Sequence, residues 1–180
     1  MLYILSMEYT SIGKNDLKIS KFALGTWPFA GGELWGHQDD NDSIEAVMEC
    51  YENGINFFDT APGYGNGRSE EVLGKAIKNI RNSVIIGTKI PPADLGKKNL
   101  SISVEKSLKR LGTDYIDLMQ IHWPNHDIPV DETTNELENL IKSGKIKEIG
   151  VSNFGLKDMT EILDELDIVT NQLPYNAFWR

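Results

Sequence analysis

Apolar and polar positions alternate along this chain in blocks of about thirty residues. Each block opens with a short apolar run, and the runs begin near the following residues: Phe22, Ile55, Val84, Tyr115, Ile146 and Ile168. Between them the apolar residues recur three and four positions apart, as on one face of a helix. A strand followed by a helix has about this length, so the blocks predict a series of βα units.

Five stretches carry such a helical face. In the first, the face of Ile44, Val47, Met48 and Tyr51 is preceded by Asp42 and Glu45, which fit a capping box. Gly54 closes this helix. The other predicted faces are Val72, Leu73, Ala76, Ile77 and Ile80; Val104, Leu108 and Leu111, ending at Gly112; Leu137, Leu140 and Ile141, ending at Ser143 and Gly144; and Met159, Ile162, Leu163 and Leu166.

Strands separated by helices this regularly indicate a parallel sheet, either an open doubly wound sheet or a barrel. A dinucleotide-binding open sheet carries G-x-G-x-x-G after its first strand, whereas here FALG leads into Thr26, Trp27 and a proline. The later glycines Gly63, Gly65 and Gly67 have the wrong spacing. Polar residues gather instead at the carboxyl ends of the strands, which favours a (β/α)8 TIM-barrel type of α/β fold. Ahead of it, YTSIGKNDLKIS predicts a β-hairpin.

Composition and charge narrow the class of protein. The 180 residues are 40% hydrophobic and 25% charged, and residues 1–180 are predicted to form one domain. The net charge of −9 argues against nucleic acid and membrane surfaces as partners. A single cysteine, Cys50, excludes an internal disulfide framework and fits a reducing, cytoplasmic location. The apolar N-terminal patch MLYILSMEY is too short to span a bilayer, and Met7 is an alternative start to Met1.

Four reactive side chains follow the ends of successive strands. Asp59 and Tyr64 come after INFF, Lys89 after VIIGT, and His122 after YIDLMQI. Alone, each has an ordinary explanation as a turn former, a solvated charge, a loop tyrosine or a structural histidine. Together they can meet in one pocket, where a lysine held by a carboxylate assists a phenol that donates a proton. An imidazole orients the carbonyl, and a hydride from a bound cofactor fits as the nucleophile.

These residues stand in a longer series of motifs. GINFFDTAPGYGNGRSEEVLGKAI, IIGTKI, YIDLMQIHWP, GKIKEIGVSNF and NQLPYN occur in this order. The series resembles the successive signatures of the aldo-keto reductases from the hairpin to the last residue. The form LGTWPFAGGELWG, followed by acidic residues, is similar to the bacterial branch that contains general-stress and inositol-locus reductases.

The resemblance implies an NADP(H)-dependent reductase of aldehydes and ketones, with NADH as an alternative cofactor. Tyr64 is then the general acid, Lys89 its cationic partner, Asp59 the ion pair to Lys89, and His122 the group that orients the carbonyl. The implied cofactor-binding residues are Thr26, Trp27, Asp59, Ser152, Asn153 and Gln172. The implied substrate-binding residues are Trp27, Tyr64, His122 and Trp123. Ser152 and Asn153 have a second interpretation as caps of a helix that starts near Gly155.

The number of strands departs from the family. Six strands are predicted, whereas a closed barrel needs eight. By resemblance, the part after Arg180 supplies the aromatic residue that stacks on nicotinamide and the residues that hold its phosphates. Exposed edges at the first and last strands predict self-association or a complementing chain as partner. Two functions therefore stay open: the reductase, or an inactive remnant that acts as a folding fragment or interaction module. A metal-dependent hydrolase is disfavoured because His37, His122 and His126 lack ligand spacing.

Overall fold

The chain folds around a parallel sheet with helices on one side and a hairpin at one end. The computed structural model describes residues 6–178, apart from the side chain of Lys97. Residues 1–5 and 179–180 lie outside the described part, and with them the choice between Met1 and Met7 and the beginning of the apolar N-terminal patch.

Strands and helices alternate as predicted. The strands are β1 (Tyr9–Ile12), β2 (Leu17–Ser20), β3 (Ala23–Gly25), β4 (Phe57–Asp59), β5 (Ile85–Ile90), β6 (Ile116–Ile121), β7 (Ile146–Ser152) and β8 (Asn171–Gln172). The helices are α1 (Gly32–Trp35), α2 (Asp40–Glu52), α3 (Arg68–Ile77), α4 (Lys97–Leu111), α5 (Val130–Lys142) and α6 (Leu156–Leu163). Short 3-10 turns occupy Trp27–Ala30, Arg81–Ser83 and Pro92–Asp94.

The order of the strands decides between the two architectures. The sheet runs β3-β4-β5-β6-β7-β8, in the order of the sequence, with every pair parallel. A doubly wound sheet would reverse its direction at a switch point, and this one does not. The fold is therefore α/β of the TIM-barrel type, a half-barrel of six strands, and that prediction is confirmed.

The last strand is shorter than its apolar run suggested. The run begins at Ile168, but only Asn171–Gln172 forms a regular ladder with β7. The Val169 N–H already donates to the Ile149 oxygen, and the Val151 N–H donates to the Thr170 oxygen. The backbone thus runs beside β7 from about Val169, at the edge of the sheet.

The N-terminal hairpin fastens onto the amino ends of the strands. β1 and β2 pair antiparallel, as predicted, and their turn presents Asn15 to Glu148 of β7. The Asn15 backbone N–H donates to Glu148 Oε1 at 2.7 Å, and its side-chain amide donates to the same oxygen at 2.9 Å. Because Glu148 is buried, these bonds compensate a carboxylate that has left water. We call this contact the clasp.

Apolar faces of the helices cover the outer face of the sheet. Val47, Leu73, Val104 and Leu137 are fully buried there, in agreement with four of the predicted faces. Two positions assigned to these faces are instead partly in water: Ile141 is 37% exposed and Leu163 is 52% exposed. Periodicity marks the side of a helix, but it does not show how far a neighbouring element extends over that side. No helix within residues 6–178 has the length and apolarity to cross a membrane.

Two predicted helix boundaries are wrong. Helix α2 begins at Asp40, and its cap is Asp39, whose carboxylate accepts from the Asn41 N–H at 2.7 Å. The sequence offers several cap-forming residues in succession, and the upstream one is used because Asp40 pairs with Arg68 on α3. Helix α3 ends at Ile77, so Ile80 packs on the core from the following loop.

Replacing Gly74 with alanine is expected to destabilise the fold by about 1–3 kcal/mol. In an ordinary helix interior this change stabilises by roughly 1 kcal/mol. Here an added Cβ would lie 2.7 Å from the Leu111 carbonyl oxygen and 2.8 Å from that of Arg110. Backbone atoms cannot rotate away, so α3 and α4 must separate. Urea unfolding measures the loss, and Gly96→Ala, whose Cβ meets nothing within 4 Å, is the matched control.

Candidate active site

A buried ion pair lies at the centre of the site. Asp59 ends β4, and Lys89 lies on the neighbouring strand β5. Lys89 Nζ donates to Asp59 Oδ1 at 2.9 Å and to Oδ2 at 2.8 Å. The lysine is only 2% exposed, and a charge in that position requires a partner. The predicted pairing of Asp59 with Lys89 is thus present in the structure.

The same ammonium group reaches the phenol of Tyr64. Lys89 Nζ donates to the Tyr64 hydroxyl oxygen at 3.3 Å and to the Thr60 carbonyl at 2.9 Å. The loop after β4 brings Tyr64 there through Gly65, which has φ +62°. A Cβ on Gly65 would lie 2.9 Å from the Ala30 Cα, so glycine is needed for this close approach. Because Tyr64 accepts from Lys89, its own proton is free for another acceptor.

His122 completes the predicted group of four. It follows β6, its N–H donates to the Ile90 oxygen at 3.0 Å, and its ring meets Tyr64 edge-on with centroids 6.1 Å apart. Burial lowers the pKa of His122 from its ordinary value of 6.5, and the nearby Lys89 charge lowers it further, against a smaller opposing effect of Asp59. The imidazole is therefore neutral at pH 7 and offers a ring N–H as a hydrogen-bond donor.

We expect the ring of His122 to titrate below pH 6.5, because its lowered pKa disfavours the charged form. The unfolded chain binds the proton more readily, so this contribution to stability is complete above pH 6.5 and is lost as the pH falls through the folded-state pKa. NMR titration of the ring and urea unfolding at a series of pH values measure both effects. In His122→Gln the corresponding part of the pH dependence should vanish, and an unchanged profile would contradict the assignment.

Gln120 is a member of the site that the sequence interpretation missed. Its side-chain amide, buried on β6, donates to Asp59 Oδ1 at 3.2 Å. Asp59 is thereby held by two neighbouring strands rather than one. The available signal was the polar residue inside the apolar run YIDLMQI, which a fully buried strand does not contain without a partner.

Aromatic rings form one wall beside the phenol. Trp27 stacks on Tyr64 with centroids 5.5 Å apart and an interplanar angle of 19°. Trp35 of α1 meets Trp27 edge-on at 5.6 Å, and nothing in its sequence context indicated this contact. Trp27 is 46% exposed and Trp123, next to His122, is 50% exposed, so both remain accessible to a substrate.

Three of the residues predicted to bind the cofactor converge where β7 and β8 end. Ser152 Oγ donates to the Gln172 carbonyl at 3.1 Å, and Asn153 Nδ2 donates to Ser152 Oγ at 3.0 Å. Asn153 Nδ2 also donates to the His122 carbonyl at 3.0 Å, which ties this group to the tetrad. The capping interpretation is wrong, because the first N–H of α6, that of Gly155, is bound by Asp158 at 3.1 Å.

Thr26 occupies a different environment from the other predicted cofactor residues. It is fully buried, and its hydroxyl contacts Ser69 Oγ at 2.7 Å and the Asp59 carbonyl at 3.0 Å. The Ser69 hydroxyl in turn contacts Thr60 Oγ1 at 3.0 Å. This network fixes the backbone on both sides of Asp59, and it leaves the Thr26 hydroxyl engaged inside the protein. In residues 6–178 no three metal-ligating side chains cluster.

Sequence comparison links this geometry to known proteins. The family described as "Aldo/keto reductase family" matches residues 21–180. The aldo-keto reductase YhdN of Bacillus subtilis (strain 168) is 44% identical over 187 residues, an alignment that covers 97% of this chain and 55% of YhdN. The chain thus spans about half the length of the curated relatives it matches.

Solved structures give the same result. The thermostable aldo-keto reductase Tm1743, in complex with the inhibitor epalrestat, superposes with a TM-score of 0.88 at 38% identity, covering 94% of this chain and 63% of Tm1743. An aldo-keto reductase of Klebsiella pneumoniae in complex with NADPH superposes with a TM-score of 0.84 at 32% identity, covering 94% of this chain and 59% of that one.

Proposed function

Because the chain belongs to the aldo/keto reductase family, we propose that it carries the proton-donating part of an NADP(H)-dependent oxidoreductase that reduces aldehydes and ketones to alcohols. One observation carries this proposal. The buried ammonium of Lys89 contacts both Asp59 and the hydroxyl of Tyr64, an arrangement that costs stability unless it serves a reaction. Within the family we place the chain in the bacterial branch with YhdN, the relative at 44% identity.

Tyr64 acts as the general acid in this proposal. Its hydroxyl accepts from Lys89, so its proton points to a substrate carbonyl oxygen. Once the proton has moved, the phenolate left on Tyr64 lies against the Lys89 ammonium, which stabilises the negative charge. Asp59 keeps that ammonium in place, and Gln120 and Thr26 hold Asp59 from two sides.

His122 orients the carbonyl. A neutral imidazole donates one N–H, and its ring stands edge-on to Tyr64, so the two donors converge on one acceptor. The lowered pKa of His122 keeps it a donor of a hydrogen bond rather than a second acid. The exposed Trp27 and Trp123 would line the route by which the substrate enters.

The polar group at the ends of β7 and β8 fits the nicotinamide end of NADP(H), which when bound supplies the hydride. Both hydrogens of Asn153 Nδ2 are used within the protein, on Ser152 and on the His122 carbonyl, which directs Oδ1 to accept from a carboxamide. Gln172 offers a second amide beside it. NADPH is proposed first because the Klebsiella relative was solved with it, and NADH is the alternative.

The length of the chain favours a second candidate function. It spans 55% of YhdN, and its sheet ends in β3 and β8, whose outer edges are those that two further strands would occupy in a barrel of eight. In this alternative the chain is a remnant of one incomplete domain, inactive alone, that associates with itself or with a complementing chain. A cytoplasmic location belongs to both candidates.

Titration of NADPH into the purified chain separates the two, with fluorescence as the binding signal and an aldehyde turnover assay alongside. Saturable binding with turnover supports the reductase. The same assay after mixing with a separately produced C-terminal part of YhdN shows whether a complementing chain is needed. Absence of binding at millimolar NADPH in both arms would overturn the reductase and leave the remnant.

A further inference from the structure

A cavity of about 270 Å³ lies outside the half-barrel, between the first turns of α5 and α6. Its floor is the end of β6 and the segment after β7, and a loop after β6 closes one side. Protein interiors leave few voids larger than a water molecule, so a space of this size between packed elements requires an explanation. Described elements bound it, and it contains none of the tetrad residues.

The floor of the cavity is apolar. Ile121, Phe154 and Ile162 line it and are at most 7% exposed, and Leu95 of the turn before α4 joins them. The polar groups nearest this floor are already engaged inside the protein. Thr133 Oγ1 donates to the Leu95 carbonyl at 3.0 Å, which leaves the deep part of the cavity suited to an apolar body.

The mouth of the cavity is polar and balanced in charge. His126 Nε2 contacts Asp158 Oδ1 at 2.8 Å, and the Gly155 N–H donates to Asp158 Oδ2. Lys157 and Glu161 stand on the same rim, so two acidic groups face two basic ones. A charged ligand gains little from such a rim, whereas one hydroxyl or N–H donor finds carboxylate acceptors.

We propose that this cavity binds a small neutral molecule with a ring-sized apolar body and one hydroxyl or N–H group at its mouth. The body lies on Ile121, Phe154 and Ile162, and the donor faces Asp158 or Glu161. The cavity is separate from the proposed reduction site, although it is close to it in the chain: Ile121 precedes His122, and Phe154 follows Asn153.

Indole, a flat apolar ring with a single N–H, is the probe. Isoleucine methyl groups of the whole chain are labelled with carbon-13 and followed by NMR during the titration. Ile121, Ile128 and Ile162 line the cavity, while Ile19 and Ile44 lie elsewhere and serve as references. Saturable shifts of the first three, with a Kd on the order of 1 mM, are expected. Equal shifts of all isoleucines, or none at the cavity, would overturn the proposal.

A filling variant sharpens the test. Val130→Phe places a larger side chain in the cavity and should weaken indole binding at least tenfold. Ile141→Phe adds the same ring at an exposed position of the same helix and should leave binding unchanged. If Val130→Phe does not fold, the methyl shifts of the unaltered chain decide. Tyr64→Phe should bind indole normally, so failure of the reductase proposal would not affect this result.

Discussion

Replacing Lys89 with methionine should lower the free energy of unfolding by about 3–5 kcal/mol. The lysine is 2% exposed and Asp59 is 8% exposed, so the substitution leaves a carboxylate in the interior with only the Gln120 amide beside it. The apolar methionine side chain gains some burial, but the cost of an uncompensated buried charge exceeds that gain. Since small domains are stable by about 5–15 kcal/mol, a large fraction of the total is at stake.

Urea unfolding followed by circular dichroism measures this loss. Lys75→Met is the matched control, because Lys75 pairs with Asp40 at a surface where its side chain is 59% exposed. That exposed pair should contribute at most about 1 kcal/mol. The double variant Asp59→Asn/Lys89→Met removes both charges and should recover part of the loss. Equal costs for Lys75→Met and Lys89→Met would contradict the role given to the buried pair.

Replacing Tyr64 with phenylalanine should reduce turnover of an aldehyde by about 10²–10⁴-fold, the usual contribution of a positioned general acid. The ring is kept, and with it the stacking on Trp27. Lys89 retains Asp59 and the Thr60 carbonyl as acceptors, so stability should change little. The affinity for NADPH should also be unchanged.

Steady-state kinetics and a cofactor titration on the same preparation separate these quantities. Tyr115→Phe is the control: it removes a phenol that bonds Asn82 at 3.3 Å, at the opposite end of β6 from His122. It should leave turnover intact. A Tyr64→Phe chain that keeps full turnover would show that another group donates the proton.

Much of this fold follows from local rules. The period of the apolar runs places every strand within a few residues, because a buried strand and an amphipathic helix have different periods. The meeting of Asp59, Lys89 and His122 follows as well, since the carboxyl ends of adjacent parallel strands lie at one end of a barrel. Tyr64 is harder to place from sequence, because its position depends on a loop held by Gly65 against Ala30.

What the sequence did not reveal depends on residues far apart along the chain. Gln120 meets Asp59 across 61 positions, and the Thr26 hydroxyl is taken up by Ser69 across 43. The start of α2 at Asp40 reflects ion pairs with α3 rather than the best local capping box. Local patterns state which side chains face inward, but the choice among partners is settled only when the elements pack.

The clasp has a consequence for the order in which the chain folds. Each strand of the sheet pairs with the one made just before it, so the half-barrel can grow from its N-terminal end during synthesis. Asn15 and Glu148, by contrast, are separated by 133 positions, and the hairpin cannot close onto β7 before that strand exists. The first segment to leave the ribosome is therefore among the last to be secured, and its amides should gain protection late in pulsed hydrogen exchange.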